Sequence, residues 1–97
     1  MPSVRVSVII PTLDEASTIA SCLDHLSRQG ADEVIVADAD SPDGTAEQAS
    51  RWGALVVQSP RGRGVQQNRG AAIASGEVLL FLHADCRLEP GAIDGLR

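Results

Sequence analysis

Four short apolar runs, each closed by polar or turn-forming residues, alternate with segments of helical character, and this alternation restricts the possible folds more than any other feature of the chain. Residues 4–10 are rich in β-branched side chains and stop at Pro11, which cannot donate to a ladder, so they predict a first strand. Ile19, Cys22, Leu23 and Leu26 then recur at the spacing of an amphipathic helix, with Thr12 or Asp14 available as its cap and Gly30 as its stop. Residues 33–37 predict a second strand, closing on a polar turn over 38–44, and Thr45 opens a second helix that runs to Trp52 and Gly53.

Residues 54–57 predict a third strand, followed by a loop over 59–64 rich in breakers and arginine. A third helix is expected from about residue 65 to 75, with Gly76 as its left-handed stop. The apolar run 78–82 is long enough for a strand buried on both faces and too short for a helix. Pro90 suits the first turn of a fourth helix, which has barely two turns before Arg97. The order βαβαβαβα implies parallel strands joined by right-handed crossovers, hence an α/β fold with a Rossmann-like open sheet.

Ninety-seven residues hold one domain, taken as 1–97. Nothing remains after the fourth strand to cover its outer edge, so the chain looks like half of a larger fold, apparently truncated. A net charge of −5 disfavours nucleic acid as a partner. All eight positive charges are arginine, and Arg61, Arg63 and Arg69 form the only local basic field. Cys22 and Cys86 lack the CxxC spacing and are read as free thiols. No apolar run approaches the roughly 18 residues of a membrane span, and the first residues lack the features of a secretory leader, so a cytoplasmic location is the expectation.

Ligands of open α/β sheets bind beyond the carboxyl ends of the strands, which puts residues 11–15, 38–43 and 83–85 on one edge. Asp85, at the end of the fourth run, could supply one carboxylate to Mg2+ or Mn2+, with phosphate oxygens and waters completing the octahedron; its plain alternative is a solvated helix cap. His83, two residues earlier, would point to the same side if strand geometry persists. Asp38 could accept from the imide of a uracil or could simply make a turn, a role assigned to Asp43. Arg61 and Arg63 can neutralise a diphosphate near a helix start.

Other chemistries fit less well. His83, Asp85 and Cys86 match no zinc spacing, and no base partner marks Cys86 as a nucleophile. The run ending Asp38-Ala39-Asp40 is similar to the nucleophile motif of haloacid dehalogenase-type phosphatases, but the chain has no lysine for the phosphate; a P-loop fails for the same reason.

Taken together and in order, Ser7-Val8-Ile9-Ile10-Pro11-Thr12-Leu13-Asp14-Glu15, Val34-Ile35-Val36-Ala37-Asp38 with Ser41-Pro42-Asp43-Gly44-Thr45, Asn68-Arg69-Gly70-Ala71-Ala72, and Ser75 through Asp85 resemble the N-terminal, nucleotide-sugar-binding half of a family 2 glycosyltransferase of GT-A fold. Pro60-Arg61-Gly62-Arg63-Gly64 and Phe81-Leu82-His83-Ala84-Asp85 are similar to a radical-SAM or selenium-domain-associated subgroup linked to arsenosugar biosynthesis. The resemblance implies transfer of a sugar from a nucleotide-diphosphate donor, a UDP-sugar above others, to an unknown acceptor. It implies that Pro11, Thr12 and Glu15 line the nucleoside pocket, that Asp38 contacts uracil and that Arg63 and Arg61 approach the diphosphate.

Asp85 would be the last carboxylate of the family's DxD motif, holding Mn2+ or Mg2+, and His83 stands where the first aspartate is usual, as a donor contact. The acceptor half and its catalytic base have no counterpart in the chain. The other expectation is a non-catalytic nucleotide-binding module, or one that associates with itself through the open edge of strand 4.

Overall fold

A computed structural model describes residues 4–97; Met1 to Ser3, part of the stretch read for a leader, lie outside them. The elements are β1 (Val6–Thr12), α1 (Ile19–Arg28), β2 (Glu33–Asp38), α2 (Thr45–Arg51), β3 (Leu55–Gln58), α3 (Arg63–Ile73), β4 (Val78–Phe81) and a 3-10 turn (Asp94–Leu96). All strand pairs are parallel, in the order β3-β2-β1-β4. The chain therefore builds outward from β1 to β3 and then returns through α3 to the other side of β1. β1 and β4 flank the switch point.

The two faces of β1 divide the helices. Val6, Val8 and Ile10 pack with Ile19, Cys22, Leu23 and Leu26 of α1 and Ala49 of α2. Ile9 and Ile35 face the other way, towards α3, where Gly70 lies so close that an added Cβ would sit 2.5 Å from Ile9 Cγ2. The small residue thus sets the depth at which α3 rests on the sheet.

Several boundaries differ from the sequence expectation, each for a physical reason. β1 continues through Pro11 to Thr12. Ile9 O accepts from Leu82 N on the β4 side, and Pro11, two residues on, turns its nitrogen the same way. β4 has already ended at Phe81, so the missing N–H of Pro11 leaves no ladder position unfilled. β4 itself is not buried on both faces: Leu79 is 38% and Phe81 43% exposed. Both lie in register with Ser7 and Ile9, on the α3 face, and α3 packs over β1, β2 and β3 instead.

Neither Thr12 nor Asp14 caps α1, which begins after Thr18 without a side-chain cap. α3 starts two residues early, at Arg63, and ends at Ile73. Gly76 has no positive φ; it is required because a Cβ there would meet Ser7 Oγ at 2.5 Å, Ser7 N at 2.8 Å and Arg5 O at 2.9 Å. Pro90 does not start a fourth α-helix. A turn leads instead to the short 3-10 segment, which Arg97 closes by bonding Asp94, Asp32, Gly30 O and Val4 O.

Candidate functional site

Thr12 and Asp38 end adjacent strands as register partners, and the Thr12 hydroxyl donates to Asp38 Oδ1 over 2.7 Å. Asp38 also accepts from Ser41 Oγ at 2.6 Å and Ser41 N at 2.9 Å, so its carboxylate, 1% exposed, is largely committed to the β2–α2 turn. Ser41 in turn accepts from Asp14 N. Two further amides follow suit: Glu15 N donates to Thr45 Oγ1 and Ala16 N to Asp43 Oδ2. Three successive amides after β1 are therefore held by side chains after β2. Asp14 and Asp40 bear the local strain at φ of 57° and 56°, a conformation aspartate tolerates better than most residues.

Asp43 makes the expected turn, accepting from Thr45 N and from the Thr45 hydroxyl. The Thr45 hydroxyl is the main cause that holds the Asp43 carboxyl below its ordinary value. Glu15 accepts from Thr18 through its carboxylate and from Thr18 and Ile19 amides through its carbonyl, which starts α1.

Between the carboxyl ends of β1 and β4 lies a cleft of about 150 Å³ lined by Pro11, Thr12, Leu13, Glu15, Arg63, Gln66 and His83. Small-molecule pockets typically hold about 300–1,000 Å³, so the cleft covers only part of a ligand of nucleotide size. Gln66 is the residue that the sequence reading missed. It is 5% exposed; Nε2 donates to Thr12 O and Ala37 O at 2.9 Å each, and Oε1 accepts from Gly62 N at 3.2 Å. One side chain thereby ties the ends of β1 and β2 to the turn that precedes α3. Gly62, at φ 142°, needs to be glycine for that turn. The available signal was its i,i+4 relation to Gly70, the other buried residue of α3.

Arg63 reaches the cleft from the first position of α3, whose leading amides lack a side-chain cap and favour an anion. Arg61 is exposed and stands outside the cleft lining. His83 lines the cleft, but His83 and Asp85 do not continue the strand. Cys86 N donates to His83 O at 3.0 Å, which puts Ala84 and Asp85 at the corner of a turn; Ala84 is buried and Asp85 exposed. Burial pushes the Cys22 thiol above its ordinary value, and the main opposing influence is the Arg87 charge. Cys22 and Cys86 are both free thiols, as expected.

Among the described residues no group of three His, Cys, Asp or Glu side chains could hold a metal by itself. Asp85 is exposed and, like Arg61, stands outside the cleft lining; its single carboxylate is of the kind that could share a hard cation with ligand phosphates and water. Asp85 takes part in none of the ion pairs, Arg28–Asp24, Arg97–Asp32 and Arg97–Asp94, among the described residues.

A larger cavity, about 340 Å³, opens at the amino ends of β2 and β3 beside Arg5, Asp32, Glu33 and Trp52. Its carboxylates are already engaged, Asp32 by Val6 N and Arg97, Glu33 by Ser7 and Ser75. The smaller cleft, at the switch point and with Arg63 and His83 side chains that make no hydrogen bond or ion pair among the described residues, is the candidate site.

The glycosyl transferase family 2 model matches residues 7–96. A PGL/p-HBAD biosynthesis glycosyltransferase of Mycobacterium tuberculosis is 38% identical over 88 residues, covering 81% of this chain and 34% of that protein. Dolichol-phosphate mannosyltransferase of Pyrococcus furiosus is 34% identical over 101 residues, covering 95% and 29%. In three dimensions the chain is similar to glucosyl-3-phosphoglycerate synthase of Mycobacterium tuberculosis, solved with Mn2+, UDP and glucosyl-3-phosphoglycerate. That likeness has a TM-score of 0.80 at 30% identity over 95% of this chain and 38% of the synthase. The chain spans about a third of the length of these relatives. No helix among the described residues is long and apolar enough to cross a membrane. With a parallel α/β sheet of GT-A type and a family match over nearly all its residues, the chain belongs to glycosyl transferase family 2.

Proposed function

We propose that residues 1–97 form the nucleotide-sugar-binding half of a glycosyltransferase, with a UDP-sugar as donor and a divalent cation, Mn2+ or Mg2+, on its diphosphate. The observation that carries this reading is the convergence of Thr12, Glu15, Arg63 and His83 on one cleft at the switch point, with the Asp38 turn bonded to its wall. Pro11, Thr12 and Glu15 would border the nucleoside. Asp38 would meet a uracil imide once Ser41 turns aside, since Ser41 now occupies both of its oxygens. Arg63 and the first amides of α3 would bind the diphosphate, with Arg61 contributing from outside the cleft. His83 would donate to the donor's ribose or phosphate.

Asp85 would hold the cation, which, when bound, offsets charge developing on the departing diphosphate. A solved neighbour with Mn2+ and UDP in its crystals supports the choice of base and metal. The acceptor and its activating base would belong to the part of the relatives that this chain does not span. Assignment to the subgroup linked to arsenosugars rests on the loop 60–64 and the run 81–85.

Competition calorimetry with UDP, GDP and ADP tests the donor class: UDP is expected to bind at least about tenfold more tightly than ADP, a difference near 1.4 kcal/mol. Equal affinities for all three would overturn the uridine preference. A second reading, self-association of a non-catalytic module, is favoured by exposed Leu79 and Phe81 beside the unpaired edge of β4. Sedimentation should then give a dimer that Phe81→Lys dissociates.

A further inference from the structure

After β4 the chain runs back along α1, and two consecutive residues fasten it there. Arg87 Nη2 donates to Ser21 Oγ at 2.8 Å, and Leu88 N donates to His25 Nε2 at 3.0 Å. Ser21 and His25 are one helical turn apart, so they present both acceptors on a single face of α1. Ala84 and Ile93 are buried in the α1 core on either side of this contact, with half-buried Leu88 packed against it. The turn that carries Asp85 is thus held from below by Ala84 and from its C-terminal side by the Arg87 and Leu88 bonds.

The His25 bond differs in kind from the other. It joins a ring nitrogen to a backbone N–H, so any residue but proline can donate from position 88, while position 25 needs an acceptor. The charged groups on the elements that meet here are Asp24 and Arg28 on α1, paired with each other at 3.1 Å, and Asp85, Arg87 and Glu89 on the returning segment. α2, packed on α1 as well, carries Glu47 and Arg51.

We infer that His25 is a positioning residue for the donor site: by accepting from Leu88 N–H it docks the segment that presents Asp85. The inference rests on the reading of Asp85 as the cation's ligand. Loss of that acceptor leaves the Leu88 N–H without its partner, undocks residues 86–88 and weakens cation-dependent binding of a nucleoside diphosphate.

The test uses the intact chain and two variants, His25→Gln, whose Oε1 can take the place of Nε2 without titrating, and His25→Phe, which cannot accept. In 1H–15N spectra without nucleotide, the Leu88 amide is expected to exchange with solvent about five- to tenfold faster in His25→Phe than in the parent, and near the parent rate in His25→Gln. In UDP titrations with Mn2+ at pH 7.5, His25→Gln should bind within about twofold of the parent. His25→Phe should bind about five- to tenfold more weakly, the effect of one lost hydrogen bond.

A Leu88 amide that exchanges as slowly in His25→Phe as in the parent, or in His25→Ala should His25→Phe not fold, overturns the docking. Parent-like Mn2+-dependent binding by a folded His25→Phe, with Leu88 uncoupled, overturns the positioning role. Undiminished Mn2+ dependence in Asp85→Ala, with the slow Leu88 exchange intact, overturns instead the reading of Asp85 on which the inference stands.

Discussion

Thr12 and Asp38, register partners at the ends of β1 and β2, are joined by a hydrogen bond of 2.7 Å between buried side chains. The bond links two strand ends whose loops would together receive a nucleoside. Asp38→Ala leaves the Thr12 hydroxyl and both donors of Ser41 without their acceptor, and is expected to destabilise the fold by about 2–4 kcal/mol. Thr12→Val removes one donor and should cost about 1–1.5 kcal/mol. Urea unfolding of the two variants and their double mutant checks this; a double mutant whose loss equals the simple sum would contradict the coupling.

Two glycines should rank in a definite order. Gly76→Ala forces a methyl against Ser7 N and Arg5 O, backbone atoms of the central strand and its approach, so about 2–4 kcal/mol of stability is expected to go. Gly70→Ala meets only side-chain atoms of Ile9 and Ile35, and lifting α3 slightly relieves the clash at about 1–2 kcal/mol. Thermal melts that place Gly70→Ala below Gly76→Ala would show that α3 is fixed to the sheet more rigidly than its packing implies.

Acid should loosen the amino-terminal end of the sheet. The Ser75 amide foremost, then the Ser7 and Ser75 hydroxyls, hold the Glu33 carboxyl below its ordinary value of 4.5. The Val6 amide and then Arg97 do the same for Asp32, against an ordinary 3.8. A carboxylate with a depressed folded-state value contributes stability that is fully present above the unfolded-state value and is lost as pH falls through the folded one. Both contributions should therefore be complete at pH 6 and diminish below about pH 4.5. Glu33→Gln should be less stable than the parent at pH 6, and the gap should narrow by pH 3; urea titrations at the two pH values measure it.

Arg63 and Arg61 should separate by position. Arg63→Ala is expected to weaken UDP binding about tenfold, near 1.4 kcal/mol, because Arg63 borders the cleft at a helix start. Arg61→Ala, outside the lining, should weaken it less than about threefold. Calorimetry at matched ionic strength distinguishes them, and equal losses would mean that the loop acts as a diffuse basic field.

The sheet was legible in the sequence because alternating β-branched runs and helical spacing admit few connections. The core stripe Ile19, Cys22, Leu23 and Leu26 followed from its period, whereas the adjacency of β1 and β4 is a matter of strand order that handedness alone does not fix. What escaped depends on neighbours that the local sequence does not name. Pro11 sits inside a strand only because β4 stops short of it. Gly76 reads as a helix stop, whereas its role is set by Ser7, 69 residues away. Leu79 and Phe81 look like core residues, but α3 leans towards β2 and β3 and leaves them exposed. Of the candidate site, Thr12, Glu15, Arg63 and His83 do meet at one cleft. The turn at 83–86 breaks the strand geometry expected to align His83 with Asp85, and Gln66 went unseen because a glutamine in a helix carries no motif of its own.

The most direct measurement is the coupling between cation and nucleotide at Asp85. UDP affinity is determined by calorimetry with and without saturating Mn2+, in the parent and in Asp85→Asn. The parent should bind at least about tenfold more tightly with Mn2+, and Asp85→Asn should lose most of that gain while its metal-free affinity stays within about twofold. An equal Mn2+ effect in both proteins, or none in the parent, would contradict a donor site built around Asp85.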